Sequence, residues 1–95
     1  MSEQKYQPLN RIHIVPLYRA YEAPPYRRAK VAIRLIKEFA KRHMKATEVK
    51  ISEEVNLSVW SRGIRKPPRR LKLEMVRDED GIVEVKLPSE EEKVS

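Results

Sequence analysis

Arg27, Lys30, Arg34, Lys37, Lys41 and Lys45 recur every three or four residues, the spacing that lines side chains along one face of an α-helix. At about 100° per residue they fall within an arc of roughly 80°. One cation per turn makes a stripe some 25–30 Å long, at about 1.5 Å of rise per residue. Like charges at this spacing repel, at a cost of roughly 0.2–0.5 kcal/mol per pair. Only Glu38 breaks the basic run. A surface shaped for solubility alone mixes the signs. The stripe therefore reads as a ridge for phosphates. A second basic cluster lies in WSRGIRKPPRR, residues 60–70, where Arg62, Arg65, Lys66, Arg69 and Arg70 surround Gly63 and the pair Pro67-Pro68. Proline fixes its own φ and restricts its neighbour, so these cations project from a loop shaped before any ligand arrives. Arginine contacts phosphate bidentately and stacks on exposed bases. Folded RNA rewards such a loop.

Other chemistry is thinly represented. His13 and His43 lie far apart in sequence, and the only aspartates, Asp78 and Asp80, fall in a turn. Gly63 and Gly81 are the only glycines, too few for a glycine-rich phosphate loop. There is no cysteine, which removes disulfides and cysteine-based zinc sites. No catalytic residue, metal or cofactor is expected. Trp60 has two readings, a core residue of a short helix or a platform for a base. Tyr18, Tyr21 and Tyr26 beside Arg19, Arg27 and Arg28 also have two: contact with RNA, or pins for the segment that carries them.

The whole chain fits a polyanion-binding domain. Its 95 residues suit one domain. A charged fraction of 37% exceeds the ordinary value of about 25%. Twenty-one Lys and Arg against fourteen Asp and Glu give +7, which points to nucleic acid before an anionic membrane surface. The excess is uneven. Residues 1–45 carry eleven basic and three acidic groups, residues 46–76 seven and four, and residues 77–95 three and seven. No apolar run approaches the roughly 20 residues of a membrane span, and Met1-Ser2-Glu3-Gln4-Lys5 does not read as a secretory leader. An intracellular, soluble protein is expected.

The elements that position these groups can be read along the chain. Residues 1–10 read as a flexible N-terminus, 11–87 as one domain and 88–95 as an acidic tail. Arg11–Val15 alternates as a first strand stopped at Pro16. After the Tyr18–Tyr26 connector, Tyr26 to Lys45 has neither Gly nor Pro, and Ala29, Ala32, Ile33, Ile36, Phe39 and Ala40 recur at helical spacing. Glu48–Ile51 alternates as a second strand. Ser52 offers an N-cap to a short helix with Glu53 and Glu54 at its positive end, and Gly63 suits its C-terminus. Arg70–Arg77 and Ile82–Leu87 form a hairpin. Placing Leu71, Leu73 and Met75 on one side with Val83, Val85 and Leu87 pairs Met75 with Val85 and Glu74 with Lys86, leaving Glu79-Asp80-Gly81 as the loop. The order β-α-β-α-β-β predicts a two-layer α+β fold, a small sheet covered on one side by two helices.

Val15-Pro16-Leu17, Arg42-His43-Met44-Lys45, Val55-Asn56 with Trp60-Ser61-Arg62-Gly63, Lys66-Pro67-Pro68-Arg69-Arg70 and Asp78-Glu79-Asp80-Gly81 follow one another in fixed order. In these landmarks, from about Ile12 to Leu87, the chain resembles the large-subunit ribosomal protein thirty-one family of archaeal and eukaryotic type. The resemblance implies an α+β fold without catalytic activity, a place in the cytoplasmic ribosome, and binding to large-subunit ribosomal RNA near the nascent-chain tunnel exit. It implies neighbouring ribosomal proteins and nascent-chain factors as partners, with no membrane and no homo-oligomer. RNA contact carries over to the first helix and the 62–70 loop. Without the resemblance, the rivals are a chromatin-type or other nucleic-acid-binding protein, since phosphate contacts alone do not separate duplexes, and a small RNA-processing enzyme.

Overall fold

A computed structural model describes residues 7–61, 63 and 65–88. The acidic stretch 89–95 and Arg62 lie outside the described residues, as do residues 1–6. The elements are β1 (Leu9–Pro16), α1 (Arg28–Met44), β2 (Glu48–Ile51), α2 (Glu53–Trp60), β3 (Arg70–Arg77) and β4 (Ile82–Lys86), with two 3-10 turns, Tyr18–Glu22 and Pro25–Arg27, between β1 and α1. The sheet order is β1-β3-β4-β2. β3 is antiparallel to both its neighbours, and β2 runs parallel to β4. The expected α+β architecture and element order are therefore present. α1 carries the chain from one edge of the sheet to the other.

The hairpin forms in the register argued from its side-chain pattern, with Met75 opposite Val85 and Glu74 opposite Lys86. Its turn is held from within. The Asp78 carboxylate accepts from the Asp80 and Ile82 amides at 2.9 and 3.0 Å, and Gly81 takes the left-handed φ of +83° that the loop needs. Leu73, Met75, Val83 and Val85 are sealed beneath α1 and α2 with Val15, Leu17, Ala29, Ala32, Ile36, Ala40, Met44, Val55 and Val59. Small alanines on α1 let its axis approach the sheet. Ile33 and Phe39, grouped with them by spacing, lie only half-buried at the flanks.

Four elements have boundaries that differ from those expected. β1 starts at Leu9, because Leu9 and Asn10 pair with Arg77 and Val76. It also extends through Pro16, which costs nothing here. The Leu17 amide donates to Arg69 O at 2.7 Å, so alternation turns the position of residue 16 outward on an edge strand, where no amide is needed. α1 begins at Arg28 because Pro25–Arg27 closes a 3-10 turn first, with the Arg27 amide donating to Pro24 O at 2.9 Å. It ends at Met44, and Lys45 is a left-handed cap at φ +52°. α2 is capped by Ser52 Oγ, which accepts from the Val55 amide at 3.3 Å, but it stops at Trp60. Gly63 has the expected positive φ of +95° in a turn beyond the helix, its amide donating to Trp60 O at 2.8 Å. At the other end, β4 stops at Lys86, while Pro88 is buried.

Candidate nucleic-acid interface

Lys30, Arg34, Lys37 and Lys41 lie within α1 and are exposed, on the side opposite Ala29, Ala32, Ile36 and Ala40. Arg27 and Lys45 are exposed too but stand outside the helix, in the 3-10 turn and at the left-handed cap. The uniform six-membered stripe thus becomes a four-membered helical ridge with a cation at each end whose direction the helix does not set. Arg34 makes an i,i+4 ion pair with Glu38 at 3.8 Å. Both groups are exposed, so the pair is weak and leaves the guanidinium available. The first turn of α1 has no acidic residue. Its backbone amides therefore add uncompensated positive potential to the ridge at that end.

The basic loop meets α1 at this same end. Arg28, the first residue of α1, donates from Nη1 to Arg65 O at 3.4 Å and from Nε to Ala23 O at 3.1 Å. Tyr21 donates its hydroxyl to Pro67 O at 2.6 Å, and Pro67 is fully buried. The Arg28 and Arg69 guanidiniums lie over the Tyr21 ring, 4.9 and 4.5 Å from its centroid, in cation–π contact. Leu17 secures Arg69 from the backbone side. The loop's shape is therefore set by the connector. Arg65, Lys66, Arg69 and Arg70 are exposed on it.

The aromatic residues differ in their surroundings. Tyr21 is the pin that joins connector to loop, while Tyr18 and Tyr26 stay 57% and 66% exposed. Trp60 is half-buried against the core, and its indole N–H donates to Asn56 Oδ1 at 2.9 Å within α2. Composition marked Arg28 only as one more cation; its hydrogen bond to the Arg65 carbonyl, 37 positions away, had no local signal. Arg19 and Arg42 were also absent from the charge pattern of the ridge. Both line a cleft with Tyr18, and the Tyr18-Arg19 pair in the connector was the one hint.

The acidic and basic ends are separated along α1. Arg77 donates from Nη1 to Met44 O at 2.7 Å, and the Thr47 amide donates to Gly81 O at 2.8 Å. The hairpin turn with Asp78, Glu79 and Asp80 thus sits at the C-terminal end of α1. Between the ends, His13 packs on Phe39 and His43, with ring centroids 5.3 and 5.9 Å away. Burial lowers the His13 pKa below its usual value, helped by the charges of His43 and Arg11. Its Nε2 is sealed without a partner, and among the described residues no ion pair joins either histidine to a carboxylate, so the group is packing rather than a catalytic dyad. Among the described residues no three His, Cys, Asp or Glu side chains gather as metal ligands, and no helix is long and apolar enough to cross a membrane.

Fold and site together define a small basic α+β protein with its charge on one helix face and one braced loop. Residues 10–81 match the model of the family described as ribosomal protein L31e. The chain is 44% identical over 79 residues to large ribosomal subunit protein eL31 of Methanothermobacter thermautotrophicus, covering 83% of this chain and 98% of that protein. It is 46% identical over 77 residues to the protein of the same name from Methanopyrus kandleri, covering 81% and 90%. With that of Pyrobaculum arsenaticum it shares 42% over 89 residues, covering 92% and 97%. The chain belongs to the ribosomal protein L31e family, a family of structural ribosomal proteins and not of enzymes.

Proposed function

We propose that this protein is a structural constituent of the large ribosomal subunit that fastens folded ribosomal RNA with the α1 ridge and the 62–70 loop. The observation that carries the reading is the junction at the start of α1. There a ridge of exposed cations, a helix N-terminus without acidic residues and the Tyr21-braced loop converge. Lys30, Arg34, Lys37 and Lys41, with Arg27 and Lys45 at the ends, would meet phosphates; Arg65, Lys66, Arg69 and Arg70, with Arg62, would meet a particular RNA shape. The names of the relatives support the large subunit as the site of assembly. Following the family resemblance, we take the seat to be near the nascent-chain tunnel exit, with neighbouring ribosomal proteins and nascent-chain factors as protein partners.

Binding to a large-subunit ribosomal RNA fragment, titrated with salt, tests this directly. Neutralising around six to ten phosphates should give a slope of log K against log salt of roughly −5 to −9. A slope near zero would remove the cations from the binding account. Sedimentation of the native protein with large subunits, rather than with nucleoid or free, separates the ribosomal reading from a DNA-binding one.

A further inference from the structure

Leu35, Glu38, Phe39 and Arg42 stand at i, i+3, i+4 and i+7 on α1 and so share one flank of the helix, beside the ridge. Facing them are Pro16, at the end of β1, and Tyr18 and Arg19 in the first 3-10 turn. The two sides enclose a cleft of about 210 Å³. This is smaller than the roughly 300–1,000 Å³ of sites for drug-sized ligands, and its scale suits a single planar ring system. Phe39 is held in place from behind, stacked on His43 at 4.0 Å and edge-on to His13. Tyr18 is exposed at the mouth. Arg19 and Arg42 are both exposed cations at the cleft. Glu38 connects the cleft to the ridge through Arg34 and adds a carboxylate acceptor.

We propose that this cleft receives one unpaired nucleobase of the RNA held along α1. The inference rests on the RNA-binding reading of the ridge and adds a site to it. An aromatic face beside two arginines is the combination that binds an unstacked base, by stacking and by contact with its flanking phosphates. A regular duplex offers no such base, because its rings are paired and stacked. Glu38 can accept a hydrogen bond from an exocyclic amino group, as carboxylates do on base edges. The charge balance, two cations to one anion, favours a nucleotide over a purely apolar peptide, and the Tyr18 and Phe39 rings favour it over an acidic one. Because Phe39 is braced by both histidines, the cleft wall needs little reordering when a base arrives.

The test compares a short regular RNA duplex with the same duplex carrying one bulged 2-aminopurine, using the whole protein. Wild type should bind the bulged duplex at least about tenfold more tightly and quench its fluorescence. Loss of a stacking side chain weakens binding by roughly five- to a hundredfold per base. Tyr18→Leu should therefore remove the preference and the quenching while leaving affinity for the plain duplex unchanged. Tyr18→Phe should retain both, and Arg42→Gln should weaken the bulged duplex selectively. Tyr18 is exposed, so unchanged melting temperatures should accompany these results. If the plain duplex binds with a steep salt slope but bulge preference and quenching are absent or survive in Tyr18→Leu, the cleft proposal fails and the ridge stands. If neither duplex binds in a salt-dependent way, ridge and cleft fail together.

Discussion

The two ends of α1 are closed by loops of opposite character. At the C-terminal end, the Asp78–Gly81 turn is stabilised by its own residues: one carboxylate satisfies two amides and Gly81 supplies the positive φ. At the N-terminal end, the basic loop is shaped by partners remote in the chain, with Tyr21 and Pro67 separated by 46 positions. A self-sufficient turn needs only short-range rules. A loop that presents like charges side by side works against their repulsion and depends on outside braces. Bracing from remote residues thus falls at the end where RNA contact is proposed.

Replacing Arg65, Lys66, Arg69 and Arg70 together by Gln should have the largest effect. The salt slope should fall by up to about four, one for each phosphate that is no longer neutralised. Preference for the cognate ribosomal RNA fragment over a plain duplex should disappear. The corresponding change at the other end, Asp78→Asn with Asp80→Asn, should leave both measurements within error or raise affinity slightly. Replacing Arg34, Lys37 and Lys41 by Gln should instead weaken fragment and duplex alike, because a helix ridge positions phosphates without reading shape. If the loop variant loses fragment and duplex equally, the two features are interchangeable counter-charge.

Bracing can be tested apart from charge. Tyr21→Phe removes the hydrogen bond to Pro67 O and should cost about 1 kcal/mol of stability. It should also lower fragment preference several-fold, although every cation remains. Asp78→Ala should cost a similar amount by chemical denaturation and leave RNA preference intact. Equal effects of the two substitutions on RNA discrimination would show that general stability, not loop shape, controls binding.

pH tests the contacts between His13 and the middle of α1. The His13 pKa lies lower in the folded state than its unfolded value of about 6.5. The unfolded chain then binds the proton more readily, so this contribution is full above about pH 6.5. It is lost as pH falls from there through the lower folded pKa. Melting temperature should decline over that window, and His13→Leu should flatten the decline. A smaller effect is expected at Lys45, where a left-handed φ strains a side chain that glycine would lack. Lys45→Gly should raise stability by up to about 1 kcal/mol in thermal unfolding.

Several elements were legible because their causes are local. The facing sets Leu71-Leu73-Met75 and Val83-Val85-Leu87 admit one register around an Asp-Gly turn, and that register is present. Ser52 announced its helix by the same kind of short-range chemistry. The limits of α1 were less legible, since the residues after Pro24-Pro25 can close a 3-10 turn or an α-turn with little local preference. Tertiary bonds from Arg28 to Ala23 and Arg65 accompany the tighter choice. The early start of β1 at Leu9 depends on Arg77, whose guanidinium also takes Gln7 O.

The amino-acid sequence by itself determined the positive excess and its concentration toward the first half of the chain. It also determined the helix that displays part of that charge, the closing hairpin and the absence of cysteine chemistry. These follow from composition and from periods of two and 3.6 residues, which each segment carries alone. Only the tertiary structure decided that β2 runs parallel to β4 at the far edge from β1. It alone made Tyr21 and Arg28 the braces of a loop some forty residues away and brought Tyr18, Arg19, Phe39 and Arg42 around one cleft. Such juxtapositions depend on which surfaces bury one another, and no segment contains that information until the sheet and helices have packed.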